Sequence, residues 1–73
     1  MNDEQYLKLL GERIVKLRKK QGLKQLELAA NLGISRTHMR RIEKGGVNCG
    51  INNLREIAQQ LGISMSELVD AGK

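Results

Sequence analysis

The segment from Ser35 to Gly45, SRTHMRRIEKG, holds the densest chemistry in the chain. Arg36, Arg40, Arg41 and Lys44 place four cations in eleven positions, with Met39 and Ile42 set between them. A guanidinium is a planar fork of N–H donors, suited to phosphate, carboxylate or any flat edge carrying two acceptors. On a helix turning about 100° per residue, Arg36, Thr37, Arg40, Arg41 and Lys44 share an arc of about 140°, and Ser35, Met39 and Ile42 fall on the other side. The cations therefore form one stripe backed by an apolar anchor. Such a stripe is either a solvated face or a surface that meets something acidic, and the segment alone does not decide between them.

Other chemistries find little material. One cysteine and one histidine exclude a metal site of ordinary ligand spacing and any internal disulfide, and no cofactor-binding pattern is present. No acid/base pair, nucleophile constellation or phosphate loop can be named, so an enzyme is poorly supported. Cys49 reads as a plain loop thiol, and His38, on the flank of the stripe, as a partly packed or solvated residue. Tyr6 is the single aromatic residue, which leaves no stacking platform of the kind single-stranded nucleic acid binders use. No apolar run approaches the ~20 residues of a membrane span, and MNDEQYLKLL lacks the order of a signal peptide. A reducing cytoplasm is the expected location.

The net charge of +5 is unevenly spread. Residues 1–22 hold six basic and three acidic side chains (+3), residues 23–45 five and two (+3), and residues 46–73 two and three (−1). A basic front half points one face at a polyanion.

The elements that would carry this face follow from periodicity. With no proline in 73 residues and apolar side chains at helical spacing throughout, the chain reads as one all-α domain over residues 1–73 with five helices. The first is expected from Asp3 to Gln21, facing inward through Leu7, Leu10, Ile14 and Leu17, with Gly11 a local cost of ~1 kcal/mol relative to alanine. The second runs from Gln25 to Leu32 and ends at Gly33. The third runs from Arg36 to Lys44, capped by Ser35 and stopped by Gly45 or Gly46. A fourth begins near Gly50 with an inward stripe of Ile51, Leu54, Ile57, Ala58 and Leu61. The last spans Ser64 to Ala71, opened by the capping box of Ser64 and Glu67 and closed by Gly72.

Within the stretch QLELAANLGISRTHMRRIEKG, Leu28, Ala29, Gly33, Met39 and Ile42 stand at the spacing of a helix-turn-helix over residues 25–44. Ala29 must be small where two helices cross closely, and Gly33 sits where the turn wants a positive φ. Together with RIVKLRKKQGLKQLELAANLGIS upstream and LREIAQQLGISMSEL downstream, these residues resemble the phage repressor and Cro (XRE-like) helix-turn-helix family over about residues 10 to 70. The resemblance implies a five-helix bundle whose third helix enters the DNA major groove. Arg36, Thr37 and Arg41 match its usual base-reading positions, where arginine can pair with guanine and threonine with thymine or phosphate. Gln25 matches a contact to phosphate at a helix N-terminus, and Arg40, Lys44, Asn52 and Asn53 are further candidates for the DNA backbone. Arg18 and Glu43 match an internal salt bridge joining the first helix to the end of the third. The chain departs from the family's pattern at Leu26, where a polar or small residue is usual, and at Cys49 and Gly50, where many members have Pro and Ser.

The function implied is that of a sequence-specific regulator of double-stranded DNA, a repressor binding a palindromic operator as a homodimer. Met65, Leu68 and Val69, in the least basic part of the chain, would form the dimer surface with the 45–50 loop. An antitoxin with a toxin partner, or a restriction-modification controller, would share the same fold. A helical protein-interaction module, meeting an acidic protein rather than DNA, is the rival from another class.

Overall fold

The computed structural model describes residues 2–70 as five helices: α1 (Asp3–Lys20), α2 (Gln25–Leu32), α3 (Arg36–Lys44), α4 (Ile51–Leu61) and α5 (Met65–Val69). Local chemistry sets the ends. Asn2 and Gln5 bond each other's backbone N–H groups at the start of α1 (2.8 and 3.1 Å), and Ser64 and Glu67 do the same for α5. Gly33, with φ of 69°, ends α2 in a left-handed conformation that a side chain would strain, and so turns the chain tightly into α3. At the start of α4, Gly50 offers no side-chain cap, as its identity requires.

α1 packs along α3, α2 bridges α3 and α4, and α5 closes the bundle against α1 and α4. The buried core comprises Leu10, Ile14, Leu28, Ala29, Leu32, Met39, Ile42, Cys49, Ile57, Ala58, Leu61 and Leu68. Three side chains of α1 and its cap add polar ties to the far end of the chain. Arg13 Nε donates to the Glu67 carbonyl at 3.0 Å, Gln21 Nε2 to the Leu61 carbonyl, and the Tyr6 hydroxyl to the Val69 carbonyl.

Four expectations need correcting. α1 ends at Lys20, with Gln21 as its cap. Ile51 is not part of the inward stripe: it is the first residue of α4 and 74% exposed. Leu68 is fully buried and so is no part of an outer surface, whereas Met65 and Val69 are half-buried. α5 is shorter than expected and ends at Val69; Ala71 and Gly72 lie outside the described residues.

Gly11 also has a different meaning from the one local propensity assigns. An ideal Cβ there would lie 2.3 Å from the Glu43 carbonyl oxygen and 2.8 Å from that of Ile42. A Cβ on Gly45 would lie 2.7 Å from the Lys8 Cα. α1 and the end of α3 touch backbone to backbone, and two glycines make that approach sterically feasible.

Candidate nucleic-acid interface

α3 begins where Ser35 Oγ accepts the His38 N–H at 3.0 Å, which fixes the first turn. Met39 is 0% and Ile42 3% exposed, and these two side chains hold the helix from behind. Burying each contributes ~1.5–3 kcal/mol, far more than any exposed charge on the other side. Arg36, Thr37, Arg40, Arg41 and Lys44 are all exposed, so the stripe read from spacing exists as an open face. His38 is half-buried on its flank.

One residue of α3 breaks the division between cations and anchor. Glu43 is buried, and the expected pair with Arg18 is present. Arg18 Nε donates to Glu43 Oε2 at 2.8 Å and Nη2 to Oε1 at 3.2 Å, a bidentate pairing that suits a guanidinium and a carboxylate. Arg18 Nη1 donates to the Leu23 carbonyl at 2.9 Å, and Gln25 Nε2 donates to Glu43 Oε1 at 2.9 Å. No buried side-chain nitrogen or oxygen among the described residues lacks a partner. A single carboxylate thus ties α1, the start of α2 and the end of α3 together.

The remaining sites are less closely joined. Gln25, the first residue of α2, lies half-buried beside the end of α3 through its bond to Glu43. Asn52 and Asn53 sit on the first turn of α4, the former exposed and within 3.5 Å of Arg55 Nη2, the latter half-buried. Cys49 is a free thiol in the loop between α3 and α4, as expected, and it is buried, which raises its pKa above the usual 9.0. Among the described residues no group of three or more His, Cys, Asp or Glu side chains could hold a metal ion, and no helix is long and apolar enough to cross a membrane. Neither the Gln25–Glu43 bond nor the role of Gly11 follows from the sequence. A glycine in the middle of an otherwise regular helix was the one available signal for the latter.

A short helix pinned by its apolar side, with its arginines open to solvent and a second helix set across a glycine turn, is the working unit of a DNA-binding transcriptional regulator. The helix-turn-helix family profile matches residues 14–68, and the chain belongs to that family. It is similar to an HTH-type transcriptional regulator of Sinorhizobium fredii, y4dJ, with 40% identity over 62 residues, 85% of this chain and 80% of that protein. It is also similar to the control protein C.MunI of a Mycoplasma species, with 42% identity over 59 residues, 80% of each chain. The crystal structure of the restriction-modification controller protein C.AhdI from Aeromonas hydrophila superposes with a TM-score of 0.80 and 34% identity, covering 85% of this chain and 94% of that one.

Proposed function

We propose that the protein is a sequence-specific repressor that binds a palindromic operator as a homodimer in the cytoplasm, at the nucleoid. The observation that carries this reading is the division of α3, with Met39 and Ile42 buried and Arg36, Thr37 and Arg41 open on the opposite face. A helix anchored in this way directs its side chains to fixed points in a major groove. Arg36 and Arg41 then pair with guanine edges and Thr37 meets a thymine methyl or a phosphate. Gln25, Arg40, Lys44, Asn52 and Asn53 contact the DNA backbone, which sets register without reading sequence. Occupying a promoter excludes other proteins from it, so repression needs no further catalytic part.

Two copies are needed because a single module of this size offers too few contacts for tight specific binding, and a two-fold dimer sets two recognition helices ~34 Å apart. The exposed Ile51 with the half-buried Met65 and Val69 offers apolar side chains in the least basic part of the chain, where two cationic proteins can meet with least repulsion. Similarity to two control proteins favours a second, narrower reading, in which the regulated genes are those of a restriction-modification system.

Binding-site selection from random duplexes tests the reading. The expected product is an inverted repeat with half-sites centred one helical turn, about 10 base pairs, or a multiple of it apart. Binding without any enriched sequence would instead favour a basic module that meets polyanions or acidic proteins indiscriminately.

A further inference from the structure

We infer that Glu43, which is buried at the edge of the arginine face, is a positioning residue for the DNA phosphate contact, acting through the side-chain amide of Gln25. The inference rests on the DNA-binding reading above and adds a residue to it. Glu43 Oε1 receives the Gln25 Nε2 hydrogen at 2.9 Å while both carboxylate oxygens are held by Arg18. A carboxylate paired with a guanidinium is an acceptor only. It therefore dictates which end of the Gln25 amide faces inward: the NH2 group points to Glu43, and the amide cannot flip without setting its oxygen against an anion.

That choice has a consequence on the outer side. An amide NH2 has two hydrogens, and Glu43 takes one. Among the described residues the Gln25 side chain makes no other hydrogen bond, so the second hydrogen remains for an acceptor from outside the chain. Gln25 is also the first residue of α2, where backbone N–H groups without helical partners and the positive end of the helix act on the same space. A phosphate oxygen satisfies both. Arg18 balances the negative charge, so that Glu43 does not repel the phosphate it serves.

The same carboxylate belongs to α3 and is separated from Arg41 by Ile42 alone. It thereby ties the backbone contact to the base-reading helix at a constant offset. Lys44, next in sequence, has only its own flexible stem to place its charge.

A coupling experiment on the selected operator tests this. Replacing both members of the ion pair with methionine (Arg18→Met with Glu43→Met) keeps the interior filled, and such apolar replacements are often neutral in stability. Gln25→Ala should weaken operator binding about tenfold in the native background, the scale of one hydrogen bond to a charged group. In the Met/Met background it should change affinity less than twofold, because the unguided amide contributes little there. An equal loss in both backgrounds would overturn the positioning role, since a residue serving only stability would leave the Gln25 contribution untouched. NMR of the native protein reads the same point without any variant. One Gln25 side-chain amide hydrogen should be protected in the free protein, and the other should shift on adding operator; neither shifting would overturn the inference. A native protein that binds no duplex at all would remove the DNA-binding reading itself, a different result from these.

Discussion

Gly11→Ala sets two effects of opposite sign against each other, and the structure says which wins. In the middle of α1 the change should stabilise an isolated helix by ~1 kcal/mol. In the folded protein the new methyl would sit 2.3 Å from the Glu43 carbonyl oxygen, 2.7 Å from the Glu43 carbonyl carbon and 2.8 Å from the Ile42 oxygen. An ordinary contact needs at least 3.4 Å, so α1 and α3 must part by roughly 1 Å. All three atoms are backbone, and none can rotate aside. Overpacking of this kind costs typically ~1–3 kcal/mol and occasionally more, and a rigid neighbour places it at the upper end. The net expectation is a loss of about 2 kcal/mol, a fall in Tm of roughly 10 °C for a domain of this size. Thermal melting followed by circular dichroism measures it, with Gly46→Ala as control because the nearest atom there is an unstrained 3.6 Å away. Gly11→Ala melting at or above the native temperature would refute the close crossing of α1 and α3.

Glu43→Ala should cost ~3 kcal/mol by stranding a buried guanidinium, whereas the Arg18→Met, Glu43→Met pair should melt within about 1 kcal/mol of the native protein. Denaturation of the single and double variants checks this, and additive losses would contradict the pairing. Cys49 should react slowly with a thiol reagent in the native protein and rapidly once unfolded, since burial both shields it and disfavours the thiolate. With its folded pKa raised, the stability it contributes is fully present below the ordinary value of 9.0 and is lost as pH climbs through the raised value, a window that alkaline melting curves of native and Cys49→Ala proteins compare. Ile51→Lys should shift self-association toward monomer in sedimentation, with the fold unchanged because that side chain is 74% exposed.

The helices that carry the site were legible because punctuation and periodicity agree there. Ser35 caps α3, Gly33 and Gly45 end α2 and α3, and both helices have the bounds their sequence signals. The Arg18–Glu43 pair was legible through family resemblance, since 25 residues separate its members and no local rule connects them. The structure departs from the sequence pattern where a local pattern has to know its neighbours. Ile51 continues the apolar spacing of α4 yet is 74% exposed as its first residue. Leu68 lies on a five-residue helix, too short for its period to tell inside from outside, and the bundle places it fully within. Gly11 reads as a defect by helix propensity, a property of one helix, whereas the reason for it is the carbonyl of another.

The central claim is that α3 reads bases and does not merely supply positive charge. The direct measurement is the ratio of affinities for the selected operator and for random duplex, taken for the native protein and for Arg36→Ala, Arg40→Ala and Arg41→Ala over a range of salt. If Arg36 and Arg41 read bases, each loss should cost about 1–3 kcal/mol on the operator and little on random DNA. Arg40→Ala should weaken both alike and lower the salt slope by about one. Arg36→Ala and Arg41→Ala both keeping the full native ratio, with the same uniform loss as Arg40→Ala, would show that the stripe is an electrostatic surface and that sequence is not read by this helix.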